Sequence, residues 1–492
     1  MPRRHPFRMT ALAACIAMLA GMLALAPTSS ASSVTAAQTG PNPFDTTNVF
    51  CQKHTAPPGA KNTSSPGVTP STITFSDTSL DVAALKRLAG VDQMDFDGAY
   101  KAYVDVINEQ CGGINGRKIV FKKALYNVLA PDLQGHLQAL CLKVTEDFKS
   151  LVNFGTGMPQ IQRCVSINHK TLSMAAAETP AADYTQSSGR VFSRYPASDY
   201  TALAFIKDGA ADQLFKGKKV GVLTNQIRAT STAQARDDYI DPLKKVGVDA
   251  DLEVLPCTGN VCTAGITNAI RRFKDSGVNL MVVSTDVSVA SIGAVMREMK
   301  AQNFRAQTWG PGIDALHSDS NMAGIVRAAG ADAVAFMNDV GFYSVEFISR
   351  NGWRLGVVKE TPYGKMCTST LAKQLDQRQY QFNETDINSA RWTGSTGICF
   401  SIQRLASAIW SLGNTVTTDR LAAALAKQKL GAMPDTQQWA RTTQWYSGTN
   451  IRPAAVFTHR LNYPCPLPTR GPATSACMLS VDRPPRARVV KY

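Results

Sequence analysis

The spacing of apolar positions switches between two periods along the chain, and the order of the switches predicts the fold. Ile73-Thr74-Phe75 reads as a short strand. From Asp95 to Asn108, Phe96, Ala99, Tyr103 and Val106 recur on one side of a helix. The turn Gly112-Gly113-Ile114-Asn115-Gly116 follows, and Lys118 to Phe121 reads as a second strand. Leu137 to Phe148 is helical, Leu151 to Phe154 a third strand, Pro159 to His169 helical, and Thr171 to Met174 a fourth strand. Strands alternating with helices of this length are joined by right-handed crossovers, which places them in a parallel sheet.

The alternation then repeats. Helices expected at Tyr200–Leu214, Ala233–Val246, Gly265–Ser276 and Ser288–Gln302 separate strands at Lys219–Leu223, Asp251–Leu255, Asn279–Val283 and Ala306–Trp309. Further helices are expected at Thr368–Leu375, Gly397–Leu412 and Thr418–Lys427, with a late strand at Ala454–Thr458. The pattern predicts an α/β chain with two Rossmann-like, doubly wound parallel sheets of about four strands each, too long for a single core.

This geometry points to candidate site residues. In an open parallel sheet the loops beyond the strand carboxyl ends face a crevice, where helix N-termini expose unpaired N–H groups. Two such lobes facing one another make a cleft for a small ligand. The loops so placed run through Ser76-Asp77-Thr78, Gly155-Thr156-Gly157, Ala175 to Thr179, Asn225-Gln226, Ser284-Thr285-Asp286 and Gly310 to Asp314. The candidate ligand-binding residues are Asp77, Thr78, Gly155, Thr156, Gly157, Ala175, Ala176, Glu178, Asn225, Gln226, Thr285, Asp286 and Asp314. The glycines flanking Thr156 suit close approach of a ligand to the backbone. Asp286 either faces the cleft or caps the helix that follows it.

The N-terminus changes the picture of where this happens. Arg3, Arg4 and Arg8 precede an apolar run from Ala11 to Ala26, and a small-residue stretch follows. That order is the pattern of a signal peptide, 1–31, cleaved near Ala31. Cys15 lies inside the apolar run, so lipid anchoring there is disfavoured. The stretch 32–70, rich in Pro, Ser, Thr and Gly, is expected to be a flexible leader. Of 11 cysteines, Cys15 leaves with the signal peptide, and the even number left suits a disulfide-bonded exported protein. Suggested pairs are Cys257 with Cys262, Cys465 with Cys477, Cys141 with Cys164, Cys367 with Cys399, and Cys51 with Cys111; spacing does not prove connectivity. No CxxC-type spacing or nearby histidine suggests a metal, and no cofactor is expected.

The net charge is +15, and +12 once the three N-terminal arginines are gone. Lys and Arg are dispersed, apart from Lys216–Lys219 and a basic tail over 466–492, and neither carries a nucleic-acid motif. The basic balance is therefore read as a solvated surface. No Gly-x-Ser-x-Gly, His-Glu-x-x-His or P-loop pattern occurs, so the reading is not an enzyme.

At Ile107-Asn108-Glu109-Gln110-Cys111-Gly112-Gly113-Ile114-Asn115-Gly116-Arg117-Lys118-Ile119 the chain resembles the type I periplasmic binding proteins, specifically the branched-chain amino acid (Leu/Ile/Val)-binding group. Met94 to Ala99, Trp309-Gly310-Pro311, Met322-Ala323-Gly324 and Asp332-Ala333-Val334 extend the resemblance, which covers roughly 70 to 460. It implies two lobes joined by three hinge crossovers. Lobe 1 would span 71–197, completed by helices at about 385–430, and lobe 2 would span 198–384, completed by about 431–465. It also implies an extracytoplasmic solute-binding protein, a monomer, that captures a small polar or amino-acid-like ligand and delivers it to an ABC importer permease. The alternative is an extracellular sensor or interaction module on the same fold with a degenerate cleft. In the family, first-lobe loops hold the ligand carboxylate, and Gly155 to Met158 match the first of these. Where the family commonly has Ala-Ala-Thr, this chain has Ala177 or Glu178 in the place of the Thr. The acid that pairs with the ligand ammonium is displaced to Asp314 or absent.

Overall fold

The computed structural model describes Cys51 and the chain from Ser65 onward, except 82, 85–94, 128–129, 131, 156–157, 176–178, 194, 227–230, 258–261, 285–286, 288, 312–315, 317–318, 347, 350–361, 376–389, 429–437, 440–446, 449–451, 453–454, 467–475, 482–487 and 490–492. The expected signal peptide and most of the leader lie outside the described residues.

The first sheet has five strands: β1 (Thr72–Asp77), β2 (Lys118–Lys123), β3 (Val152–Phe154), β4 (Leu172–Ala175) and β5 (Val191–Ser193). They lie in the order β2-β1-β3-β4-β5, all parallel. The second sheet contains β6 (Val220–Gln226), β7 (Ala250–Pro256), β8 (Leu280–Val283), β9 (Gln307–Pro311) and β10 (Phe342–Glu346). A ribbon of β11 (Ile348–Ser349) with β12 (Gln438–Trp439) stands apart. The strands β13 (Ala455–Asn462), β14 (Cys477–Ser480) and β15 (Arg488–Val489) extend the second sheet antiparallel, giving the order β14-β13-β10-β9-β8-β6-β7 with β15 on β13. Both sheets are thus larger than the expected four strands. Strand β5 is three residues long and β14 four, too short for periodicity to announce. Within 466–492, expected as a basic tail, strands stand at 477–480 and 488–489. The apolar run Cys477-Met478-Leu479 is buried against the core, and the Cys465–Cys477 disulfide holds it beside β13.

Helix Phe96–Gln110 shows why the elements pack as they do. Asp95 caps it by accepting from the Gly98 N–H at 3.0 Å, which satisfies one of its unpaired donors. Its face of Ala99, Tyr100, Tyr103, Val106 and Ile107 is buried, each large side chain stabilising the fold by about 1.5–3 kcal/mol. Here Met366, Cys367, Leu371 and residues of helices Ala390–Ser411 and Thr418–Lys427 join it from late in the chain.

Among the described elements the chain changes sheet three times: after β5, between β11 and helix Pro362–Gln374, and between helix Thr418–Lys427 and β13. At the first passage Asp199, early in helix Ser198–Ala211, accepts from the Ala181 N–H at 2.9 Å, at the start of helix Ala181–Gln186. Arg452 donates to the Tyr200 hydroxyl at 3.1 Å and lies over its ring, tying the third passage to the first.

The Gly-Gly-Ile-Asn-Gly turn is a structural lock. Gly113 has φ +87°, and a Cβ there would stand 2.1 Å from the Arg117 carbonyl oxygen. Asn115 Nδ2 donates to the carbonyls of Ile409, Trp410 and Gly413, and Arg117 reaches Thr69 O and Asn414 O. The motif fastens the late helix Ala390–Ser411 to the first sheet. The five disulfides join Cys51–Cys111, Cys141–Cys164, Cys257–Cys262, Cys367–Cys399 and Cys465–Cys477, the pairs the spacing suggests. No described helix is long and apolar enough to cross a membrane.

Candidate ligand-binding site

Strand order locates the crevice in each sheet. In the first, β1 is followed by β2 on one side and β3 on the other, so the order reverses between β1 and β3. In the second the reversal falls between β6 and β8. Ligands bind outside the carboxyl ends of strands at such switch points.

At the first switch point Asp77 and Thr78 end β1, and Gly155 follows β3. All three are buried. Asp77 Oδ1 accepts from the Ser79 N–H at 3.1 Å and the Ser79 hydroxyl at 2.7 Å, forming an Asx turn. Its Oδ2 is buried and meets no hydrogen-bond partner among the described residues. Thr78 donates from N and Oγ1 to the Phe154 carbonyl, at 3.0 and 3.1 Å, and accepts from Asn153 Nδ2 at 3.0 Å. Ser76 completes the chain by donating to Asn153 Oδ1 at 2.9 Å. Gly155 has φ +86°, and a Cβ there would meet Asp77 Oδ1 at 2.1 Å and Ser79 Oγ at 2.2 Å. Only glycine lets these two strand ends approach so closely.

The electrostatics there are acidic. Burial pushes the Asp77 carboxyl up to about 7; the Ser79 hydrogen bonds pull against this, the Asp97 carboxylate adds to it and Lys123 opposes it. Burial and a hydrogen bond shared with Asp97 push Asp95 up to about 6. Lys123 pairs with Asp97, and that contact raises its ammonium. The Tyr126 phenol is raised by burial and then by Asp77.

The second switch point is built from neutral groups among the described residues. The Ser284 hydroxyl donates to Thr224 Oγ1 at 2.7 Å, joining the ends of β6 and β8. Asn225 is fully buried, with Nδ2 donating to Ser291 Oγ at 3.4 Å, and Ser291 reaches the Cys262 carbonyl at 3.4 Å. Gln226 is half-buried and accepts from the Thr232 hydroxyl at 2.5 Å. The Cys257–Cys262 disulfide closes the loop after β7 beside them.

The structure thus brings Asp77, Thr78 and Gly155 together, places Ala175 two strands along at the end of β4, and places Asn225 and Gln226 at the end of β6. Thr156, Gly157, Ala176, Glu178, Thr285, Asp286 and Asp314 lie outside the described residues. Ser79, Asn153, Asp95, Asp97, Lys123 and Tyr126 escaped the sequence reading, although Asp-x-Ser at 77–79 carries the Asx-turn signal. A grouping of Cys141, Cys164 and His169 has both thiols in a disulfide, so it offers no thiolates to a metal. A surface cavity of about 420 Å³ lined by Arg297, Lys300 and Asp332 sits where helix Val289–Ala301 ends, at the amino end of the second sheet's strands and away from the switch point.

No family model and no curated protein matches the chain. Solved structures do resemble it. A fatty acid ABC transporter substrate-binding protein from Thermomonospora curvata aligns with TM-score 0.55 at 12% identity, covering 85% of this chain and 94% of that one. A branched-chain amino acid ABC transporter protein from Thermus thermophilus with bound valine aligns with TM-score 0.52 at 14% identity, covering 85% and 96%. A solute-binding protein of an ABC transporter from Rhodopseudomonas palustris, in complex with 3,4-dihydroxybenzoic acid, aligns with TM-score 0.52 at 14% identity, covering 85% and 97%. This chain has the fold of those proteins, the type I periplasmic binding fold.

Proposed function

We propose that the chain is an extracytoplasmic solute-binding protein that captures a small polar or amino-acid-like solute and delivers it to an ABC importer permease. The observation that carries this reading is the pair of switch points, each lined with buried polar groups, on a chain that passes between its sheets three times. A solute touching both lobes stabilises only the closed arrangement, so closure reports binding. In this reading lobe 1 is 71–197 with helices near 385–430, and lobe 2 is 198–384 with about 431–465. The N-terminal 31 residues serve for export and the protein acts outside the cytoplasm without catalysing a reaction. The resembling structures hold solutes as unlike as valine and 3,4-dihydroxybenzoic acid, which fits a fold whose specificity sits in its loops.

Thermal-shift screening followed by calorimetry, with amino acids, amides, amines and small organic acids, tests the reading. One-to-one binding of at least one class is expected. Failure across every class would overturn it. Capture of a receptor kinase in place of a permease from the native envelope would favour a sensor instead.

A further inference from the structure

We propose that Asp77 makes the first-lobe half of this site selective for a solute bearing a cationic nitrogen, an ammonium or amidinium group. The inference rests on the solute-binding reading and adds the charge of the group that lobe 1 receives.

The position comes first. Asp77 ends β1 at the strand-order reversal, where a crevice ligand is received. The backbone there is shaped around it, since Gly155 leaves no room for a Cβ beside Asp77 Oδ1 and Ser79 Oγ. One carboxyl oxygen is held by Ser79, which fixes the orientation. The other, Oδ2, is buried without a partner among the described residues, an arrangement that proteins rarely leave uncompensated.

The charge balance comes second. Among the described residues, the titratable groups around Asp77 are Asp97 at the start of helix Phe96–Gln110, with Asp95 bonded to it, Lys123 from the end of β2, and Tyr126 just beyond it. From β3 the neighbours are neutral: Asn153 and Gly155. Lys123 is already paired with Asp97. Among the described residues, three carboxyls therefore share one ammonium. A solute carboxylate entering this end would meet like charge, whereas a cationic nitrogen would restore the balance and supply the donor that Oδ2 lacks.

The test uses the full mature chain, with amines, amidines, carboxylates and neutral amides built on the same straight, branched and aromatic skeletons, and calcium chloride alone as a separate probe. Calorimetry near pH 8 is expected to give binding to amines or amidines and none to the matched carboxylates. Asp77→Asn, which is isosteric and keeps the Ser79 contacts, should weaken that binding by about tenfold or more. Glu253→Gln, in a surface pair with Arg272, should leave it unchanged. Affinity of the unaltered protein for an amine should rise about tenfold between pH 6 and pH 8 as Asp77 ionises, which holds the test open if the variant fails to fold.

Preferential binding of carboxylates, amine binding indifferent to Asp77→Asn, or stabilisation by calcium but not by amines would each overturn the proposal. Binding confined to carboxylates or neutral amides would leave the solute-binding reading standing and remove only this inference. Silence of every probe class would remove both.

Discussion

At the carboxyl end of β1 the described groups of the first sheet are Asp77, Asp95 and Asp97 around the ammonium of Lys123, while at the matching end of β6 the described groups of the second sheet are the neutral Thr224, Asn225, Gln226 and Ser284. The topology is the same in both places: a central strand, a neighbour on one side, then a reversal. Strand order fixes where the crevice lies, and side chains set its electrostatics independently. The first end is costly to assemble, because it buries a carboxyl, and it admits only glycine at 155. The second is assembled from ordinary neutral hydrogen bonds, each contributing about 0.5–1.5 kcal/mol. Buried titratable groups with shifted pKa values concentrate at functional sites.

Five substitutions probe this contrast. Gly155→Ala should destabilise the protein by about 3 kcal/mol in chemical denaturation, since the new methyl strikes Asp77 and Ser79 at positive φ. Ser284→Ala at the other switch point should cost only about 1 kcal/mol. Equal costs would erase the contrast.

The pH dependence is next. The folded-state value of Asp77, about 7, lies above its ordinary 3.8, so its stabilising contribution is present at low pH and lost as pH rises through 7. Relative to Asp77→Asn, the unaltered protein should gain about 1.4 kcal/mol per pH unit on acidification from pH 7 toward pH 5. Parallel curves for the two proteins would place Asp77 in an environment like that of the second lobe. Asn225→Ala should cost about 2 kcal/mol with no such pH dependence, because a neutral buried amide is removed. Finally, Asp199→Ala at the first passage between sheets should cost about 1 kcal/mol by freeing the Ala181 N–H. It should also shift solute affinity through the hinge, which calorimetry would read.

Much of this architecture was legible in the sequence. Helix 418–427 stands at the expected residues, and the strands of both parallel cores fall within a few residues of their expected places. The late segments were harder. Strand β10 follows two helices without an intervening strand, and β14 is a four-residue run among prolines and arginines, so only tertiary pairing defines them. The Gly-Gly-Ile-Asn-Gly turn was legible as a motif, but its work is structural: Asn115 and Arg117 anchor a helix nearly 300 residues later. The site was half legible. Strand ends named Asp77, Thr78, Gly155, Asn225 and Gln226, whereas Asp97 and Lys123 reach Asp77 from the first turn of a helix and a neighbouring strand, a convergence that no local spacing encodes.

Small-angle scattering with and without the solute that gives the strongest thermal shift tests the central claim most directly. Binding between two lobes on hinge crossovers predicts a smaller radius of gyration at saturation, reversed when the solute is removed. A scattering profile unchanged at a concentration where calorimetry shows full occupancy would contradict a closing solute receptor.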